Sequence, residues 1–180
     1  MASKIMIIRH AEKPDGQAAG ISMEGNQDAE ELTARGWQRS GALVRFFASA
    51  GDAQLATPTF IFAAGTGPHS KSLRPQHTVA ALAEQLGQSV NVAHLKGDEK
   101  ALADEVLTKS DPVLIAWQHE AIPEIVSRIV GNSTTCPQQW PDQRFDLVWV
   151  LDQETPEDAW TFSQVPQMLL PGDSNTTIPF

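Results

Sequence analysis

Short apolar runs alternate along the chain with longer amphipathic segments, and this alternation predicts strands and helices in turn. The six predicted strands lie at 5–8, 59–63, 89–95, 113–117, 144–152 and 159–165. The first and fourth of these runs are apolar throughout, which indicates strands that are buried on both faces. Such strands, separated by helices, favour a three-layer α/β domain: a mostly parallel central sheet with helices on both faces.

Four helices are predicted between these strands. Segment 74–86 places Val79, Leu82, Ala83 and Leu86 on one apolar stripe, with a proline in its first turn. Thr33 is placed to cap the preceding helix. The other two helices are predicted at 99–107 and 121–131, the last with a proline near its start and a glycine at its end.

Two polar segments are harder to assign to regular structure. Residues 14–31 form a connection that is long for a compact domain, so this segment is either a functional loop or locally disordered. The segment from Pro171 onward is rich in Pro, Asp and Thr and is expected to fray. The sequence contains no internal repeat and no domain linker, and we expect one domain over residues 1–180.

Composition narrows the classes of function. The 180 residues are 41% hydrophobic and carry a net charge of −9, which disfavours global disorder and makes nucleic acid and anionic membranes unsuitable partners. The single cysteine excludes an intrachain disulfide and a cysteine-based zinc cage. With no apolar run of membrane-spanning length and no secretory leader pattern, a cytoplasmic location is expected. Oligomeric state is left open.

Charged side chains follow three of the predicted strands. Arg9 and His10 come directly after the first strand, Arg74 begins the helix after the second, and His119 and Glu120 follow the fourth. Ligands of parallel sheets bind outside the carboxyl ends of the strands, so these side chains are expected to share one site.

The residue types at that edge select one kind of chemistry. Arginine offers a fixed fork of donors that matches phosphate oxygens, and a neutral imidazole can take up a phosphoryl group near pH 7. Phosphoryl transfer needs chiefly positioning and charge stabilisation, which the arginines supply. No Walker loop, no G-x-S-x-G elbow and no pair with metal-ligand spacing occurs, so no cofactor and no metal is predicted.

Four segments carry a resemblance to a known family. They are "IIRHAEKP", "LTARGWQRSGAL", "SKSLRPQHT" and "VLIAWQHEAIPEI". In order and spacing, over roughly residues 4–151, they resemble the signature of the histidine phosphatase superfamily, the phosphoglycerate-mutase-like proteins with an Arg-His-Gly motif after strand one. The third motif residue is Ala11 here, which is still small.

The resemblance implies a role for each matching position. His10 would be the nucleophile, and Arg9, Arg74 and His119 would hold the phosphate oxygens. Glu120 stands where the acid-phosphatase and phytase-like branch has its proton donor. The alternatives considered for that donor are Glu24, Asp98 and Glu99. Lys13 stands where that branch has a further arginine and is a candidate phosphate contact, although a surface position fits it better.

These implications predict a metal-independent phosphatase of the histidine acid phosphatase type that works through phosphohistidine. Its substrate would be a phosphorylated small molecule or a phosphoprotein. The chain has no room for the large helical cap of the phytase-like branch, so that branch's specificity does not carry over. Two alternatives stay open: a mutase-type phosphotransferase and a non-catalytic phosphate-binding module. The remaining histidines, His69, His77 and His94, are expected to be structural or on the surface.

Overall fold

A six-stranded sheet forms the centre of the structure, a computed structural model that describes residues 3–49, 53–68, 70–110 and 112–180. Its strands are β1 (Ser3–Arg9), β2 (Phe60–Ala63), β3 (Val90–Asn91), β4 (Val113–Trp117), β5 (Leu147–Gln153) and β6 (Thr161–Pro166). The spatial order is β3-β2-β4-β1-β5-β6. β1 to β4 are parallel to one another, whereas β5 and β6 are antiparallel to their neighbours. The sheet is therefore mixed but mostly parallel, as the sequence predicts.

Helices cover both faces of this sheet. They are α1 (Ala34–Ala48), α2 (Arg74–Leu86), α3 (Glu99–Val106) and α4 (Ile122–Val130). Alternate side chains of β1 point to opposite faces: Ile5 and Ile7 pack in the cluster that contains α3 and α4, and Met6 and Ile8 in the cluster that contains α1 and α2. This double burial explains why residues 5–8 of β1 are apolar without interruption.

The helix ends follow the sequence signals closely. The Thr33 hydroxyl accepts a hydrogen bond from the Gly36 N–H at 3.2 Å and caps α1. Pro75 lies in the first turn of α2, and α4 ends at Gly131, whose φ of 80° only glycine adopts easily. α2 spans the predicted residues without a shift.

Two predictions of local structure are wrong. The strand predicted at 89–95 contains only two residues, because the Asn91 side chain accepts the Ala93 N–H and turns the chain away from the sheet edge. The segment after Pro171 does not fray: Ile178 is buried and exchanges two hydrogen bonds with the Gln164 side chain.

The connection at 14–31 is ordered by short bridges and by a hydrogen bond from the Trp37 indole to the Ile21 carbonyl.

A buried ion network fastens the C-terminal segment to α1 and to the residues after β1. Arg39 is 2% exposed and lies 2.8 Å from Glu12 Oε1 and 2.7 Å from Asp173 Oδ1. Arg35, whose side chain is 42% exposed, contacts the same two carboxylates at 3.2 Å each. Asp173 is itself buried, so its charge depends on these arginines for compensation.

The two arginines offer a matched comparison of stability. We expect Arg39→Met to lower the free energy of unfolding by about 3 kcal/mol, because it leaves Asp173 and Glu12 short of a buried partner. Arg35→Met should lower it by less than about 1 kcal/mol, because solvent already screens that pair. Urea unfolding followed by circular dichroism measures both values. Equal losses in the two variants would contradict the assignment of the buried network to Arg39.

The structure also bears on membrane insertion: within its described residues, no helix combines the length and apolar character needed to cross a bilayer.

Candidate functional site

The carboxyl ends of β1 and β4 meet at one edge of the sheet, and the predicted site residues gather there. Arg9 is in register with Trp117, and the His10 N–H donates to the Trp117 carbonyl at 2.9 Å. β4 ends at Trp117, so His119 lies two residues beyond the paired ends of β1 and β4. Because β5 is antiparallel to β1, the loop that precedes β5 reaches the same edge.

His10 has one ring nitrogen fixed and the other available. It is 5% exposed, and its Nδ1 lies 2.7 Å from the carbonyl oxygen of Ala11. A carbonyl can only accept, so Nδ1 carries the proton and Nε2 keeps its lone pair. Burial, reinforced by the charges of Arg9 and Arg74, lowers the pKa of His10 to about 3. The ring is therefore neutral at physiological pH, as a nucleophile requires.

Arg74 is tied to His10 through the start of α2. The Ala11 N–H donates to Thr78 Oγ1 at 2.8 Å, and the Thr78 hydroxyl donates to the Arg74 carbonyl at 2.7 Å. The guanidinium donates from Nη1 to the Ala29 carbonyl at 2.8 Å, while its buried Nε has no partner among the described residues. Burial lowers the pKa of Arg74. The loop at 14–31 thus contributes backbone that orients this arginine.

Backbone carbonyls of the loop before β5 hold the Arg9 guanidinium in place. Its Nη1 donates to the Asp142 carbonyl at 2.6 Å and the Arg144 carbonyl at 3.1 Å, and its guanidinium carbon lies 3.8 Å from the centre of the Phe145 ring. Burial lowers the pKa of Arg9 to about 10, which leaves the group charged at neutral pH. Its buried Nε and Nη2 have no hydrogen-bond partner in the described part of the chain. Two donors therefore remain for an anion.

His119 lies between two carboxylates. Its Nδ1 is 3.1 Å from Glu120 Oε2, an ion-pair distance without good hydrogen-bond geometry, and its Nε2 is 2.9 Å from Asp142 Oδ1. Glu120 also lies 2.5 Å from Lys96 Nζ. The His119 ring and the Lys96 ammonium hold the pKa of Glu120 well below its usual range. Glu120 is therefore ionised in this structure, which is the form that accepts rather than donates a proton.

Lys13 is the sixth predicted site residue, and its ammonium points toward this group. Its Nζ lies 3.5 Å from Asp142 Oδ1, and its side chain is 37% exposed.

The sequence did not predict Asp142 and Phe145 as site residues. Both lie before β5, and the rule that ligands bind at the carboxyl ends of strands does not apply to an antiparallel strand.

The alternative acids and the other histidines are engaged elsewhere. The three acids accept from near neighbours: Glu24 from the Ser22 hydroxyl, Asp98 from the Leu95 N–H, and Glu99 from the Trp117 indole and the Gly97 N–H. His77 pairs with Glu31 at 2.7 Å and His94 with Glu105 at 2.6 Å, while His69 lies outside the described residues. Over the described ranges, no group of three or more His, Cys, Asp or Glu side chains is placed to hold a metal ion.

The comparisons with known proteins concern fold. No protein-family model matches the chain, and no curated protein matches it by sequence. The mycobacterial glucosyl-3-phosphoglycerate phosphatase has a similar structure, with a TM-score of 0.58, 12% identity, and coverage of 98% of this chain and 100% of that one.

Two further solved structures give the same result. A phosphoserine phosphatase from Entamoeba histolytica matches with a TM-score of 0.55 and 10% identity, over 89% of this chain and 95% of that one. The silkworm ecdysone phosphate phosphatase, solved with tungstate, matches with a TM-score of 0.53 and 9% identity, over 99% and 97%. At identities of 9–12% these likenesses concern the fold alone, and they confirm the predicted fold class, a mostly parallel sheet with helices on both faces.

Proposed function

We propose that the chain is a metal-independent phosphomonoester hydrolase that works through a phosphohistidine on His10. The observation that carries the proposal is the state of the His10 ring: neutral, protonated at Nδ1, with Nε2 available beside a buried arginine, Arg9, and a half-buried one, Arg74, each with donors that have no partner among the described residues. An uncharged imidazole next to fixed cations suits attack on a phosphate dianion. Phosphatases of the same fold support this reaction class.

In the first step, the lone pair of His10 Nε2 forms a bond to phosphorus while the ester oxygen leaves with its electron pair. Arg9, Arg74, His119 and Lys13 stabilise the charge on the phosphoryl oxygens. Positive charge develops on the ring, and the Ala11 carbonyl stabilises it by accepting from Nδ1. The arginines supply the charge compensation that a metal provides in other phosphatases.

Glu120 is proposed as the acid that protonates the leaving oxygen. Glu120 forms an ion pair with Lys96 and is therefore ionised, so it must take up a proton before it can donate one. A phosphate dianion bound close to His119 favours this protonation, because it repels the negative charge of the Glu120 carboxylate. In the second step, water attacks phosphorus, the N–P bond breaks, and the Glu120 carboxylate takes the water proton. Phosphate and the neutral His10 ring are regenerated.

The ionised state of Glu120 also favours one alternative function, a module that binds a phosphorylated partner without turnover. Such a module would use the same arginines and would need no acid. The substrate of the enzyme, or the ligand of the binding module, is a phosphorylated small molecule or a phosphoprotein.

A rapid-quench experiment tests the proposal and separates it from the alternative. We expect the protein to release p-nitrophenol from p-nitrophenyl phosphate in the presence of EDTA. A quenched single turnover should trap one phosphoryl group per chain in a bond that acid hydrolyses and alkali does not, as phosphohistidine requires. Tight binding of tungstate with neither p-nitrophenol release nor a trapped phosphoryl group would favour the binding module.

A further inference from the structure

One carboxylate lies close to three of the groups proposed to hold the phosphate. A single oxygen, Asp142 Oδ1, lies 2.9 Å from His119 Nε2, 3.5 Å from Lys13 Nζ and 3.7 Å from Arg9 Nη2. Three of the four groups proposed to hold phosphate oxygens therefore converge on one oxygen of this chain's own side chain. A carboxylate oxygen and a phosphate oxygen have the same charge sign and the same accepting geometry for these donors.

The backbone and the side chain of Asp142 have separate roles. The backbone carbonyl accepts from Arg9 Nη1 at 2.6 Å, so the loop holds the arginine from behind. The side-chain Oδ1 instead lies 3.7 Å from the other terminal nitrogen, Nη2, and the side chain is 65% exposed. Rotation of this side chain would free the donors without moving the loop that orients Arg9.

We propose that the Asp142 carboxylate is an internal substitute for the substrate phosphate, which the substrate must displace before it can bind. This inference rests on the proposed function and names the residue that sets the affinity of that site for anions. A site that is open for only part of the time binds its ligand more weakly in proportion to that fraction. Asp142 thereby lowers the affinity of the site by the same factor for every anion that uses His119, Lys13 and Arg9, so that only anions with high intrinsic affinity are retained.

The test compares the binding of inorganic phosphate and tungstate to three forms of the full chain by calorimetry. We expect Asp142→Asn to bind both anions about five- to tenfold more tightly than the parent, since three weak, solvent-screened contacts no longer compete. The matched control is Asp15→Asn. Asp15 lines the same surface cavity as Asp142 and Lys13, but within the described part of the chain its carboxylate accepts hydrogen bonds from the backbone of its own turn alone. Its removal should change affinity less than twofold.

A second measurement uses the unsubstituted protein, so it does not depend on how the variant folds. The side-chain carboxyl ¹³C resonance of Asp142 should shift as phosphate is added and saturate together with the calorimetric signal. Unchanged anion affinity in Asp142→Asn, or an Asp142 resonance that does not respond, overturns the inference. A loss of turnover in Asp142→Asn with unchanged anion affinity also overturns it, because that result marks Asp142 as a proton donor.

The outcomes also distinguish this inference from the proposed function. If the parent binds tungstate and Asp142→Asn binds it equally well, the phosphate site stands and only the competition by Asp142 is wrong. If neither form binds phosphate or tungstate, the proposed function is wrong and the inference fails with it.

Discussion

His10→Ala is expected to lower the turnover of p-nitrophenyl phosphate by at least about 10³-fold, because it removes the atom proposed to accept the phosphoryl group. The neighbouring side chains cannot replace it. Arg9 and Arg74 are cations without a lone pair to donate, and His119 has a carboxylate oxygen close to each ring nitrogen. The variant should also lose the trapped phosphoryl group altogether, while the arginines continue to bind tungstate.

The matched control is His94→Ala. His94 is also a partly buried histidine with one ring nitrogen bonded at 2.6 Å, but its partner is Glu105 on α3, and among the described residues it has no hydrogen bond or ion pair with a member of the site. We expect its turnover to remain within about twofold of the parent, and thermal unfolding of both variants will show whether either has lost its fold. Turnover in His10→Ala within tenfold of the parent would exclude a phosphohistidine mechanism.

The parts of the fold that sequence predicts well are those whose signals are local. β1 contains a continuous apolar run at 5–8, α2 carries an apolar stripe with a proline at its start, and α4 ends at a glycine with positive φ. Each signal lies within a few residues of the feature it specifies. The positions of Arg9 and His10 follow from the same kind of reasoning, since they lie at the end of an apolar strand that pairs in parallel with β4.

The direction of β5 could not be predicted in this way. Leu147, Trp149 and Leu151 face one hydrophobic cluster and Val148 and Val150 the other, so residues 147–151 are apolar without interruption, a pattern typical of a parallel strand. Its antiparallel direction brings the preceding loop, with Asp142 and Phe145, to the site. No residue pattern within β5 encodes this arrangement, which depends on how the chain crosses the sheet after α4.

Long-range ion pairs account for the remaining differences. The polar segment after Pro171 carries Asp173, and the composition of that segment gives no sign that Asp173 compensates a buried arginine on α1. Glu120 follows a strand end as predicted, but its protonation depends on Lys96, which is more than twenty positions earlier in the chain. Glu99 bridges the Gly97 N–H and the Trp117 indole and so holds the Lys96 loop near the end of β4. Such pairings exist only once the fold has formed.

Arg9→Lys is expected to lower kcat/KM by about 10²- to 10³-fold while the protein stays folded, because lysine keeps the charge and loses the fork. The guanidinium uses Nη1 to hold the loop before β5 and leaves Nε and Nη2 for the phosphate. A single ammonium cannot donate in both directions from the same position. It should either hold the loop or contact the substrate, and kcat should fall more than KM rises because the lost donors act chiefly on the transition state.

Arg144→Lys is the matched control for this substitution, because Arg144 belongs to the same loop. Its guanidinium contacts Asp146 and the Thr176 carbonyl, away from the proposed phosphate position, and only its backbone carbonyl contacts Arg9. We expect less than about a threefold change in kcat/KM. Equal effects of the two substitutions would mean that disturbance of the loop, rather than loss of phosphate donors, explains the Arg9 result. A normal kcat in Arg9→Lys would assign Arg9 to loop support alone and leave Arg74 as the principal arginine for the phosphate.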